Sequence, residues 1–268
     1  MLGQFFLIIL FGLLAFLPPY LGFLYPNLII KNIKNKGKLV GLAIIIVSLL
    51  INYFVMESLF AVIIFSIIYI PIIISYFALE KINIGKWDKA LLTTLFSLIL
   101  LLLFYHFDKS QFIEINNSIN KQIVMAVNEQ WKEFETIDKN QLINTIISAK
   151  RASLFMIIFL QNLFTIIFIK DKDRNELHYI FAFVYIVSFF YLKFYQEKNL
   201  IMENLSLISQ QVYGMYGVKE LYRIFKKFFK MRFLSGALCL ILYIKFPIFM
   251  FVLGAVMSFK YFTRNKED

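Results

Sequence analysis

Between Leu39 and Leu79 the chain runs for 41 residues with one formally charged side chain, Glu57. As helix, that length is about 60 Å, or two crossings of a ~30 Å hydrocarbon layer. A water-soluble fold cannot bury two consecutive helices that are apolar on every face; in lipid the same surface is simply the outside. The chain therefore reads as an all-α, polytopic transmembrane helical bundle. We treat its 268 residues as a single integral membrane domain, since no repeat and no Gly/Ser- or Pro-rich linker divides them.

About eight spans are expected: Phe5–Tyr25, Leu39–Val55, Leu59–Leu79, Ala90–Phe107, Ala152–Ile169, Tyr179–Tyr195, Leu200–Val218 and Leu234–Val256. Pro71 falls inside the third, where a missing N–H and a ring clash favour a kink. The last apolar stretch, residues 233–262, is interrupted by Lys245 and Pro247. As a single helix it would be about 45 Å long. It is either one tilted or broken helix or two half-helices that dip back. Phe5–Leu17 lacks a basic start and a small-residue cleavage site, and is expected to stay as a first helix rather than act as a signal peptide.

Charge is distributed by side. One set of loops holds Lys31, Lys34, Lys36, Lys38, Lys81, Lys86, Lys89, Lys170, Lys172 and Arg174, and ends with Lys219–Arg232, for 16 Lys and Arg. The opposite set holds 8, or 11 with the C-terminal tail. The positive-inside rule makes the first set cytoplasmic and places the N-terminus outside. This placement explains the net charge of +11 by anionic lipid, so no nucleic-acid partner is expected.

Two polar segments stand apart. In residues 108–150 an apolar stripe of Ile115, Ile119, Ile123, Val127 and Trp131 recurs every four residues, the spacing of a helix face. We expect an amphipathic, extracytoplasmic helical insertion between spans four and five, lying on the bundle or the membrane, or acting as a lid. Residues 219–233 read KELYRIFKKFFKMRF, a basic amphipathic helix for the cytoplasmic interface. Lys219, Arg223, Lys226, Lys227, Lys230 and Arg232 would form a lipid surface or a docking face for a membrane or cytoplasmic partner.

Reaction chemistry has no visible constellation. His106 and His178 lie far apart, and the chain contains no HExxH, GxSxG or Gly-rich phosphate loop. Cys239, the single cysteine, sits in an apolar stretch. We expect no enzyme activity, no catalytic residue, no metal and no cofactor. What remains is polarity inside the membrane, where it is costly and so points to function. Gln161 and Asn162 lie in the fifth span; Gln210, Gln211, Tyr213 and Tyr216 lie in the seventh. Gln210, Tyr213 and Tyr216 are i, i+3 neighbours on one face. Such groups either bond helix to helix, at about 0.6 kcal/mol each, or line a pocket for a small solute. Lys245 lies at a depth near Glu203, so the two could form an ion pair across helices; alternatively Lys245 snorkels or marks a helix break.

A resemblance appears in the C-terminal third. Asn199-Leu200, then Tyr216-Gly217-Val218, a basic stretch, the Pro247 helix, Leu253-Gly254 and Phe262-Thr263-Arg264 come in an order that resembles the YybS-like family of bacterial membrane proteins. Where that family usually carries an acid three positions after the glycine, this chain has Met257. The resemblance implies a multi-pass protein of the bacterial inner (cell) membrane. It also implies a distant similarity to the membrane-embedded substrate-binding subunits of energy-coupling vitamin transporters, although Phe5–Tyr25 shows no small-xxx-small pattern. The expected function is transporter-like: non-enzymatic binding or passage of a small solute, with Gln161, Asn162, Gln210, Tyr213 and Lys245 as substrate-binding residues. The alternative is a membrane scaffold that holds a partner and transports nothing.

Overall fold

Leu42, Ile46 and Leu50 point outward from one helix, while Gly41, Ile44, Ser48 and Asn52 of the same helix are buried. That pattern inverts the one found in water, and it recurs through the structure. The structure, a computed structural model, describes residues 3, 6, 10, 21–80, 82, 84–130, 138–169, 176–195, 199–229 and 231–264. Among them every regular element is a helix, ten in all: α1 Leu24–Lys36, α2 Lys38–Met56, α3 Leu59–Ala78, α4 Lys86–Phe107, α5 Lys109–Gln130, α6 Lys139–Ile167, α7 Ile180–Tyr195, α8 Leu200–Phe229, α9 Arg232–Lys245 and α10 Pro247–Arg264.

Four of these helices, α2, α3, α4 and α6, are long and apolar enough to cross a membrane, and α9 with α10 makes a fifth if that bent pair counts as one span. The described residues do not confirm the expected total of eight. Most of Phe5–Tyr25 lies outside the described residues. Tyr179–Tyr195 forms α7, which at 16 residues is a short apolar helix. Leu200–Val218 is the first part of the 30-residue α8, which is not apolar enough to count as a span. A helix enclosed by neighbours can carry polar residues inward and needs no apolar surface of its own.

The chain divides into two compact units, Met1–Glu114 with Ile157–Asn175, and Ile115–Met156 with Glu176–Asp268. In the first unit, α1 extends through Lys31, Lys34 and Lys36, which sequence reasoning placed in a loop. It stops at Gly37, whose φ of 93° suits a residue without a Cβ. Glu57 occupies an exposed left-handed turn between α2 and α3, and the Ser58 hydroxyl accepts the Ala61 N–H at 3.3 Å to start α3. α3 passes through Pro71 as one helix.

In the second unit, residues 115–130 of α5 and the start of α6 form the expected helical insertion. The Lys150 ammonium holds them together by donating to the side-chain oxygens of Asn116 and Asn120. Along the apolar stripe, Ile115 and Ile119 are exposed and Val127 is buried; Trp131 lies outside the described residues. Residues 219–229 are not a separate helix but the continuous end of α8. The last apolar stretch is two helices, bent by 112° at Phe246. Pro247 explains the break, since its ring and missing N–H end the preceding helix. α8 packs on α7, α9 and α10. Tyr185 lies tilted against Phe251 and Tyr213 meets it edge-on, with ring centroids 4.2 and 5.8 Å apart respectively.

Candidate functional site

Buried polar side chains of the first unit join into one belt across five helices. On α2, the Asn52 amide nitrogen donates to the Ser48 carbonyl at 2.8 Å. The Ser48 hydroxyl in turn bonds to the hydroxyl of Tyr25 on α1. Tyr25 lies edge-on to Tyr69 of α3, with ring centroids 5.7 Å apart. Gln161 of α6 donates to the Tyr69 hydroxyl at 3.3 Å. Its neighbour Asn162 donates to the Thr94 hydroxyl of α4 at 3.0 Å, and Ser97 stands one turn further along α4. Tyr25, Ser48, Asn52, Tyr69, Gln161, Asn162, Thr94 and Ser97 are all buried.

Each helix supplies its part through local spacing. Ser48 and Asn52 are i, i+4 on α2, and Thr94 and Ser97 are i, i+3 on α4, so each pair shares a face. The outward faces hold Leu42 and Ile46, or Leu95, Ile99 and Leu102. Gly22 allows the close approach: a Cβ there would fall on the Tyr69 hydroxyl and lie 2.8 Å from Gln161 Nε2. Thr165 of α6 donates to the Phe23 carbonyl at 3.2 Å, and Asn27 donates to the Thr165 carbonyl at 3.2 Å, which fixes α1 against α6.

Within the belt, Asn52 Oδ1 and Ser97 Oγ have no hydrogen-bond partner among the described residues, and both residues are wholly removed from solvent. Each lies one turn beyond a bonded residue, Ser48 or Thr94, toward the C-terminal end of its helix. None of the belt's members carries a formal charge at neutral pH, and no group of three or more His, Cys, Asp or Glu that could hold a metal occurs among the described residues.

The remaining expected site residues belong to the second unit. Tyr213 is fully buried and donates to the His178 carbonyl. Gln210 is half-buried, while its neighbour Gln211 accepts from the Tyr243 hydroxyl. Lys245 is exposed at the end of α9, beside the break, and no ion pair joins it to Glu203 among the described residues. The helix break at Phe246 gives its ammonium open surroundings, so burial imposes no need for a partner. Cys239 is buried against Leu221 and Met250.

Of the basic stretch, Lys219 and Arg223 fold onto Glu220, which has no exposed surface; the distances are 2.8 and 2.9 Å. Lys219 also lies 4.3 Å above the Tyr216 ring. Burial pulls the Lys219 ammonium below the usual lysine range, and the Glu220 carboxylate offsets part of that. Lys226, Lys227 and Arg232 are exposed, and Lys230 lies outside the described residues.

Sequence reasoning missed Tyr25, Ser48, Asn52, Tyr69, Thr94 and Ser97. Their signal was present as polar residues at helical spacing within apolar runs. Among known proteins, no family model, no curated protein and no solved structure matches the chain.

Proposed function

We propose that the protein is a multi-pass membrane component that binds or passes a small, uncharged polar solute, without enzymatic activity, at the unpartnered polar atoms of the belt in the first unit. The observation that carries this reading is the pair of unpartnered polar atoms, Asn52 Oδ1 and Ser97 Oγ, buried in apolar surroundings. A buried donor or acceptor left unsatisfied costs about 1–3 kcal/mol. A hydroxyl- or amide-bearing solute would supply the missing bonds to both. The belt's neutral amides and hydroxyls suit a polar molecule and offer no counter-charge to an ion. Within this proposal Gln161 and Asn162 keep their assigned role, while Gln210, Tyr213 and Lys245 belong to the second unit, where Tyr213 donates to the His178 carbonyl. Membership of the YybS-like family belongs to the same proposal and is supported by motif order alone.

The test is thermal unfolding of detergent-purified protein against a panel of neutral polar metabolites. One member should raise the melting temperature, and Asn52→Leu with Ser97→Ala should remove that response while leaving the unliganded protein no less stable. A silent panel, or variants that lose stability without a ligand, would show that the belt only holds helices together. The scaffold alternative draws on the exposed basic end of α8.

A further inference from the structure

We infer that the corner where α8 gives way to α9 is a binding surface for the acidic phospholipids of one membrane leaflet. The end of α8 has two faces. Val218, Leu221, Tyr222 and Phe225 pack against Cys239, Leu242, Met250 and Leu253. The other side carries Arg223, Lys226 and Lys227, spaced i, i+3 and i+4, and so aligned. The two sides are not equivalent electrically. Glu220 is held by Lys219 and Arg223, whereas Lys226, Lys227 and, on α9, Arg232 project into the surroundings.

Large apolar side chains are exposed around the same corner: Phe228 at 77%, Met231 at 64% and Phe233 at 88%. Water gives no reason to expose three such groups beside a cluster of cations. The headgroup layer accommodates both at once, with ammonium groups among phosphates and aromatic rings at the edge of the acyl chains. The next helix fixes the depth. Beyond its first residue, Arg232, α9 is apolar, with Leu240, Ile241 and Ile244 exposed along its length. The basic cluster therefore stands where the chain passes from a polar to an apolar environment. A basic last turn also complements the negative end of its own helix, but that role requires neither the exposed Phe228 and Phe233 nor Arg232 on the next helix. An acidic protein could match the charge, yet it would leave the exposed rings unexplained. A lipid leaflet matches both.

The experiment uses the full chain purified in a neutral detergent, with thermal unfolding followed as phosphatidylglycerol or phosphatidylcholine is added. Phosphatidylglycerol should stabilise the protein and phosphatidylcholine should not, and 0.5 M salt should weaken the effect, as expected for exposed charges. Lys226→Gln with Lys227→Gln should raise the phosphatidylglycerol concentration needed by about tenfold or more, whereas Lys226→Arg with Lys227→Arg should keep it unchanged. Should the double glutamine variant fail to fold, the single variants carry the same comparison. Equal responses to the two lipids, or a glutamine variant that responds like the parent, would overturn the inference. So would an equal effect from inorganic phosphate, or stabilisation by poly-glutamate but not by lipid, which would point to a free anion or to a protein partner. Loss of the lipid response would leave the neutral-solute response intact, because the belt residues lie in the other unit.

Discussion

Gly217 and Gly254 meet backbone to backbone where α8 crosses α10. A Cβ on Gly254 would fall on the Tyr213 carbonyl and lie 3.0 Å from the Gly217 nitrogen; a Cβ on Gly217 would fall on the Met250 carbonyl and lie 3.2 Å from the Gly254 nitrogen. Close approach of this kind gives dispersion contacts that larger residues would prevent, and in membranes dispersion does much of the work of helix association. Main-chain atoms cannot swing aside as a side chain can. Gly217→Val or Gly254→Val should therefore destabilise the protein by about 2 kcal/mol or more, in the range of overpacking. Gly236, on α9, meets nothing within 4 Å, so Gly236→Ala should be neutral or stabilising by about 0.5–1 kcal/mol. Melting temperatures of the three variants in one detergent check the contrast.

Asn204 of α8 holds both ends of a single helical step in α6. Its side-chain oxygen accepts the Ala152 N–H at 2.9 Å, and its amide nitrogen donates to the Ser148 carbonyl at 3.2 Å. These are the two groups that an i, i−4 helical bond would join. Asn204→Leu should cost about 1–3 kcal/mol by leaving buried polar atoms without the amide. Amide hydrogen exchange should speed up at Ala152 more than at positions elsewhere on α6. Unchanged exchange there would show that the helix closes on itself without help.

Glu220 is completely buried between Lys219 and Arg223. Lys219 and Arg223 are 25% and 54% exposed and can turn to solvent once their acceptor is gone, so Glu220→Ala should cost about 1 kcal/mol. Replacing Lys219 and Glu220 together with methionine should recover most of that, since the charges needing compensation go together. Chemical or thermal unfolding of the single and double variants gives the coupling directly.

Gly22 offers an independent probe of the polar belt without deleting any of its members. Gly22→Ala would push a methyl group between Tyr69 and Gln161 and break their bond, at a cost of about 1–3 kcal/mol. A solute that stabilises the parent should bind this variant at least about tenfold more weakly, the equivalent of one lost hydrogen bond of average strength. Equal binding would place the solute away from Tyr69 and Gln161.

Hydropathy made the spanning helices legible because lipid leaves a long one-dimensional trace. The sequence boundaries of α2, α3 and α4 fall within a few residues of those observed. α8 differs from the expected span Leu200–Val218 because its apolar first part continues into one longer helix whose buried side includes Asn204, Ser209, Tyr213, Tyr216 and Glu220. An average over residues does not reveal which way each one faces. The bend at Phe246 was foreseeable from Pro247, although its size was not, since that depends on what each half packs against. In the belt, Gln161 and Asn162 stood out as amides in an apolar span. Tyr25, Ser48 and Thr94 did not, because single hydroxyls in membrane helices commonly bond to their own backbone. Only packing brings them together.

The Lys86 ammonium, on the first residue of α4, donates to the Ile169 carbonyl just past the end of α6 at 3.3 Å, and the residue is only 8% exposed. A lysine engaged in this way cannot reach freely for the headgroups as an unattached one does. It ties the start of one spanning helix to the finish of another, so both must end at a common waterline. A bilayer that thickens or thins around this unit therefore has to shift the two helices as a pair.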